Sequence, residues 1–270
     1  MVSADRPLVL IGAGNMGGAM LRGWLADRFD PAFILVVDPR PSAAMATELA
    51  AAGLRHFPAI PEAVTAGVLL IAVKPQLMEA VLPGARTLVG DGTVIVSIAA
   101  GKTIAFIEER LGGAVVRAMP NTPSMVGRGI TGCFANAAVT EAMRGETERL
   151  LSVCGPVLWV ETEAQIDAVT AVSGSGPAYV FYLVECMAEA GRKCGLPADV
   201  AMQLARATVS GAGELLHRSP DEATVLRQNV TSPNGTTAAA LSVLMAQNGL
   251  QPLMDRAIMA ANIRAGELAG

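Results

Sequence analysis

The sequence predicts an α/β protein, with a doubly wound, mostly parallel sheet in its N-terminal part and an all-helical C-terminal part. Three observations predict it. Over roughly the first 160 residues, short runs rich in β-branched residues alternate with helix-length segments. The early runs are apolar throughout and do not alternate, as expected of parallel strands covered by helices on both faces. After about Glu161 the strand-like runs stop, and Ala, Leu, Met and Glu dominate as far as Gly270. Two domains follow, 1–162 and 163–270.

The candidate strands are residues 8–11, 34–37, 68–73, 94–98, 115–118, 131–135 and 157–160. Residues 18–25, 43–52 and 103–111 read as helices, the crossovers that parallel strands require. In the C-terminal part, breaks fall at 174–177, 195–197, 219–220, 232–235 and 248–249, leaving four or five helices. Several of these helices are apolar over more than one face. Such a helix has to be buried, and in a domain this small the cover is expected to be a partner subunit.

Apolar residues make up 52% of the chain and charged residues 16%, against about 25% charged in an average soluble chain. That balance excludes disorder. It fits buried subunit interfaces and simple alanine enrichment equally well. The net charge of −4 argues against nucleic acid as a ligand, and Lys74, Lys102 and Lys193 form no basic run. Residues 1–7 lead directly into an apolar run, so no signal peptide is expected. The longest uncharged stretch, 228–254, contains Asn229, Pro233, Asn234, Gly235, Gln247 and Asn248 and is not expected to span a membrane. Cys133, Cys154, Cys186 and Cys194 form no C-x-x-C pair or zinc spacing, and read as reduced, mostly buried thiols of a cytoplasmic protein. With only His56 and His217 present, no metal site is expected.

Gly12-Ala13-Gly14-Asn15-Met16-Gly17 follows the first strand and opens a helix. Gly12 permits a tight turn, Gly14 lets a pyrophosphate approach the backbone, and Gly17 lets the helix pack closely on the strand. The helix N-terminus offers free N–H groups and a positive dipole end to the phosphates. Asp38 ends the second strand, where a carboxylate can accept from a ribose diol, whereas Arg40 could neutralise a 2′-phosphate. NADPH and NADH both stay open on this reading. The third, fourth and fifth strand ends, at 73–75, 97–101 and 119–123, point to the same crevice, and the small Ala99 and Ala100 leave room there for a nicotinamide.

A second constellation, Thr231-Ser232-Pro233-Asn234-Gly235-Thr236-Thr237, runs into the helix former Ala238-Ala239-Ala240-Leu241. It reads either as a turn with an N-cap or as an anion cradle. In the second case the N–H groups of Gly235 to Thr237, with the Ser232 and Thr237 hydroxyls, hold a small carboxylate. Ser173-Gly174-Ser175-Gly176-Pro177 lacks the G-x-S-x-G spacing of a nucleophile elbow and reads as close helix packing.

Taken together, residues 11–20, 72–75, 97–101, 119–123, 168–179 and above all V-T-S-P-N-G-T-T-A-A-A-L at 230–241 resemble the pyrroline-5-carboxylate reductase family over nearly the whole chain. The resemblance implies an N-terminal Rossmann domain and a helical domain that interleaves with its mate in a homodimer, with decamers as a further assembly. It implies nucleotide contacts from Ile11, Gly12, Ala13, Gly14, Asn15 and Met16, and from Asp38. Further contacts come from Ala72, Val73, Lys74 and Pro75, from Ser97, Ile98 and Ala99, and from nearby Asn229. Proline-binding positions would be Glu163, Ser232, Gly235, Thr236 and Thr237. There are two departures: Asn234 stands where the family usually has a glycine, so the turn needs a positive φ that Asn tolerates, and Ala59 stands where many members carry an asparagine beside the cofactor.

The implied reaction is hydride transfer to the C=N carbon of a cyclic imine, approached to about 3–3.5 Å. A protonated imine becomes a neutral amine and needs no acid, which suits a chain without a credible catalytic histidine. Thr237 is the candidate for a hydrogen bond to the ring nitrogen. Two other readings compete. A β-hydroxyacid dehydrogenase needs a lysine followed shortly by asparagine in the helical domain, but here Lys193 precedes Cys194-Gly195-Leu196-Pro197. A non-catalytic nucleotide sensor has no use for a carboxylate cradle.

Overall fold

The structure is a computed structural model and describes residues 2–269. Its N-terminal part runs β1 (Leu8–Ile11), α1 (Asn15–Ala26), β2 (Ile34–Val37), α2 (Ala43–Ala51), β3 (Arg55–Phe57), β4 (Val68–Ile71), α3 (Met78–Ala85), β5 (Val94–Ser97), α4 (Ile104–Leu111), β6 (Ala114–Met119), β7 (Thr131–Ala135), α5 (Glu141–Leu151) and β8 (Val157–Trp159). The strands form one sheet in the order β3-β2-β1-β4-β5-β6-β7-β8. All neighbours are parallel except β6 and β7. Strand order reverses at β1, which pairs with both β2 and β4, so the carboxyl end of β1 opens onto the crevice of a doubly wound sheet.

The uninterrupted apolar runs have a direct structural cause. Leu8 and Leu10 join Met20, Trp24 and Val36 in one core cluster, whereas Val9 and Ile11 join Leu35, Leu82 and Ile107 in another. Successive side chains point to opposite faces, and helices cover both. The Trp24 indole, fully buried, donates to the Leu150 carbonyl at 2.7 Å and ties α1 to α5.

Several boundaries differ from the sequence reading. The strand expected over 68–73 ends at Ile71, the last residue in register with β1, and Pro75 then opens a 3-10 turn. The strand expected over 94–98 ends at Ser97. β3 carries exposed Arg55 and His56 on a sheet edge and so has no apolar run to betray it. α3 contains Pro83 and Gly84, residues that argue against a helix.

The C-terminal part comprises α6 (Gln165–Val169), α7 (Gly176–Lys193), α8 (Ala198–Arg218), α9 (Ala223–Asn229), α10 (Thr236–Leu244) and α11 (Leu250–Ala269). Six helices are thus described where four or five were expected. The extra one is α6, which passes through a π-helical turn at Thr170–Gly174. α7 then begins with Pro177 in its first turn, where a missing N–H costs nothing.

The chain divides into two compact units, one holding residues up to Gly174 together with those from Ala261, the other Ser175–Ala260. The second unit, taken by itself, buries small side chains, among them Ala188, Ala201 and Ala205. Its large apolar residues face outward: Phe181, Tyr182, Leu204, Leu215 and Val243 are all more than half exposed. Cys133 and Cys154 are buried as expected, but Cys186, on α7, and Cys194, just past its end, are exposed. Among the described residues no helix is long and apolar enough to cross a membrane.

Candidate active site

The first unit gathers the sequence-predicted nucleotide contacts at the carboxyl ends of β1, β2, β4 and β5. Gly12 has φ +94, and a Cβ there would lie 2.9 Å from the Ala72 carbonyl oxygen. A Cβ on Gly17 would lie only 2.1 Å from the Gly12 carbonyl oxygen. These two glycines are dictated by the protein's own backbone. Gly14 is different: it precedes α1 in extended conformation, and a Cβ there would meet nothing within 4 Å. Its lack of a side chain leaves open space in front of α1, whose start has no side-chain cap and no acidic residue in the first turn. Asn15 and Met16 thus stand in a helix turn whose N–H groups the protein leaves to a ligand. The arrangement fits a dinucleotide pyrophosphate, with backbone donors ready and the approach clear.

Around this loop, Ala72 donates its N–H to the Ile11 carbonyl at 2.8 Å, and Ile98 donates to Ile71 at 3.1 Å. Ser97 is buried and its hydroxyl accepts the Ala99 N–H at 3.3 Å, so 97–99 makes a tight turn. Val73 and Pro75 are half-buried beside it, and Lys74 is exposed. Asp38 sits at the end of β2, but its carboxylate points back onto the loops. Oδ2 accepts the Ala13 N–H at 2.8 Å and Oδ1 accepts the Arg40 N–H at 2.9 Å.

Glu163 lies in the same unit, with its Oε1 accepting the Ile104 N–H at 2.8 Å at the start of α4. The same oxygen takes a bond from Arg117 at 3.2 Å, and Arg117 also pairs with Asp167 at 3.0 Å. The Arg117 side chain is almost entirely buried and meets two half-buried carboxylates, so the cation is paired where it leaves water. The sequence reading passed over Arg117. A charge inside the otherwise apolar run A-V-V-R-A-M was the available signal, since a buried charge has to be paired.

The second unit carries Asn229 and the 231–237 segment. Asn229 ends α9, and the Thr231 hydroxyl donates to the Arg227 carbonyl at 2.6 Å. Asn234 adopts φ +59, the left-handed conformation expected for it. Gly235 is the N-cap of α10 and donates its N–H to the Ser232 carbonyl at 3.1 Å. That N–H is therefore spent in the turn, a correction to the cradle expected from Gly235 to Thr237. The N–H groups of Thr236, Thr237 and Ala238 have no protein partner among the described residues. No side chain caps this helix, so neither threonine serves as the N-cap, and Ser232 is exposed while Thr237 is half-buried. A helix start with three free donors and spare hydroxyls suits a small carboxylate.

The sheet and glycine loop define a Rossmann-type, dinucleotide-dependent oxidoreductase with a separate helical unit. Residues 7–101 match the family described as NADP oxidoreductase coenzyme F420-dependent, and residues 163–268 match the one described as pyrroline-5-carboxylate reductase dimerisation. The pyrroline-5-carboxylate reductase of Pseudomonas aeruginosa is 43% identical, over 97% of this chain and 96% of its own length. A pyrroline-5-carboxylate reductase structure from Coxiella burnetii superposes with a TM-score of 0.91 at 36% identity, covering 98% and 99% of the two chains. The Plasmodium falciparum pyrroline carboxylate reductase, crystallised with NADP bound, gives 0.80 at 26% identity and 99% coverage of both. This chain belongs to the pyrroline-5-carboxylate reductase family.

Proposed function

We propose that the protein reduces 1-pyrroline-5-carboxylate to L-proline with NADPH or NADH, the last step of proline biosynthesis. The observation that carries this reading is the uncapped start of α10 behind the T-S-P-N-G turn, in a chain with a complete glycine loop. When bound, the reduced nicotinamide supplies a hydride. The protein's own residues bind and orient. Gly12 to Met16 hold the pyrophosphate, and the loops at 72–75 and 97–99 line the crevice, with Asn229 as a further nucleotide contact.

On the substrate side, the N–H groups of Thr236 and Thr237 grip the carboxylate, with Ser232 and the turn at Gly235 shaping the cradle. The Thr237 hydroxyl holds the ring nitrogen. An imine already protonated there ends as a neutral amine, so no buried acid is required, and none of the cradle residues is one. Glu163 contributes by fixing the start of α4 through the Ile104 N–H. The β-hydroxyacid dehydrogenase reading is not favoured, because the lysine motif it requires is absent. A sensor without turnover leaves the uncapped helix unexplained.

The assembly belongs to the same proposal. The apolar side chains exposed on α7, α8 and α10 need a cover, and a second copy interleaving through 163–270 supplies it in a homodimer, with decamers built from dimers. The functional division is then 1–162 for nucleotide and 163–270 for substrate and dimerisation, in a cytoplasmic enzyme. A spectrophotometric assay with pyrroline-5-carboxylate and each reduced nucleotide tests the activity, and loss of nucleotide absorbance dependent on the imine is expected. No imine-dependent oxidation with either nucleotide would refute it. Light scattering tests the assembly: a fully active monomer would contradict the dimer.

A further inference from the structure

We infer that Arg117 is a positioning residue for hydride transfer: it fixes both ends of the 98–103 connection, whose first residues line the nucleotide crevice. The inference rests on the reductase reading given above and adds to it a device that sets where the reduced ring lies.

One end of the connection leaves the sheet at Ser97. There β5 and β6 run side by side with Ser97 opposite Arg117. Residues paired in this way share a face of the sheet. Two positions earlier on the two strands, Ile95 and Val115 pack with Ile104 and Ile107, so the shared face is the one that α4 covers. Both Ser97 and Arg117 are buried there. The other end enters α4 at Ile104, whose N–H is one of the donors that a helix start leaves open. The local cap does not reach it, because the Thr103 hydroxyl takes the Phe106 N–H instead. Glu163 takes it at 2.8 Å, from 59 residues further along the chain. The same Glu163 Oε1 accepts from Arg117 Nη1 at 3.2 Å, while Nη2 donates to Asp167 at 3.0 Å. One buried cation thus stands beside the exit from β5 and, through Glu163, holds the entry into α4.

The middle of the connection is fixed as well. Gly101 has φ +67, and a Cβ there would lie 2.8 Å from the Leu268 carbonyl oxygen, so the last turn of α11 closes on it. With ends and middle held, Ile98 and Ala99 have one place to be. Stability alone does not ask for an arginine here, since a buried ion pair roughly breaks even against an apolar side chain of similar volume. What the guanidinium adds is direction: its planar fork serves two acceptors at set angles, which a lysine ammonium on a flexible stem does not.

The test is single-turnover stopped flow on the full chain, with reduced nucleotide and pyrroline-5-carboxylate both saturating, beside a nucleotide titration. In Arg117→Met the rate constant of nucleotide oxidation is expected to fall about tenfold to a hundredfold, the range that a misplacement of up to about 1 Å costs. The amplitude per site and the nucleotide affinity should stay within about threefold of the parent. Arg117→Lys should fall between the two. A purely structural role would do the reverse, lowering the amplitude while the folded molecules react at the parent rate. Ile104→Pro supplies a second arm, because proline suits the first helical position and removes the N–H that Glu163 holds. Ile104→Ala truncates the same side chain and keeps that N–H. The proline variant should react about tenfold more slowly than the alanine variant. A parental rate constant in Arg117→Met, or equal rate constants for the two Ile104 variants, would overturn this inference while imine-dependent oxidation by the parent keeps the reductase reading intact. No such oxidation by the parent would overturn both.

Discussion

Gly14 and Gly17 stand three residues apart in one motif, and the structure assigns them opposite costs. A methyl group on Gly17 would sit 2.1 Å from the Gly12 carbonyl oxygen and 3.1 Å from the Ala72 Cβ. The first contact is with backbone, in a loop whose Gly12 N–H is tied to the Val37 carbonyl at 2.9 Å. Gly17→Ala must therefore push α1 away from β1, disturbing the packing of Met20 and Trp24. Overpacking of a tight core costs about 1–3 kcal/mol, and a clash with backbone belongs at the upper end. For a chain of this size, about 3 kcal/mol lowers the melting temperature by roughly 6–12 °C.

Gly14→Ala meets open space and keeps an allowed extended conformation, so its loss should stay near the roughly 1 kcal/mol of a poorer N-cap. Its methyl instead fills the approach to the free N–H groups of α1, and nucleotide affinity should fall at least about tenfold. Thermal melts of both variants, with nucleotide titrations on each, separate the cases. Equal melting temperatures for the two variants, or undiminished nucleotide binding by Gly14→Ala, would refute the reasoning.

Thr237→Ala should lower turnover of the imine by about a hundredfold or more if its hydroxyl serves the ring nitrogen, with far less change in nucleotide affinity; steady-state kinetics beside a nucleotide titration check this. Asn234→Ala places a Cβ-bearing residue without a side-chain amide at φ +59 and should cost about 1–2 kcal/mol, while Asn234→Gly should be tolerated, as denaturant melts would reveal. Arg117→Ala removes the buried cation from the half-buried Glu163 and Asp167, which keep access to water, and about 1.5–3 kcal/mol of stability should be lost in the same measurement. Burial, with a smaller contribution from Glu148, pushes the Cys133 thiol from 9.0 up to about 12. The native state holds that proton after the unfolded chain has released it, so the contribution is complete below pH 9 and fades as pH rises toward 12. Cys133→Ala should flatten the alkaline loss of stability across that window, and native Cys133 should resist thiol reagents at neutral pH.

Much of the fold was legible because its cause is local. The apolar runs at 8–11 and 34–37 are strands buried on both faces, and their bounds match the sequence reading. β3 was not legible, because a three-residue edge strand with exposed Arg55 and His56 carries no periodic signal. α3 was hidden by Pro83 and Gly84, whose unfavourable propensities tertiary packing of Met78 and Leu82 overrides. In the site, the roles of Gly12 and Gly17 follow from steric rules that the motif itself encodes. The direction of the Asp38 carboxylate does not, since it depends on where the Ala13 and Arg40 N–H groups fall once the loops have folded. The same holds for Gly235, whose N–H is taken by a turn that the residue types allow but do not require.

What the reductase account most needs is the position of a small acid on the assembled protein. A crystal structure grown with L-proline should place the ligand carboxylate on the N–H groups of Thr236 and Thr237, its ring nitrogen beside the Thr237 hydroxyl. Proline bound away from residues 232–237 would contradict the account.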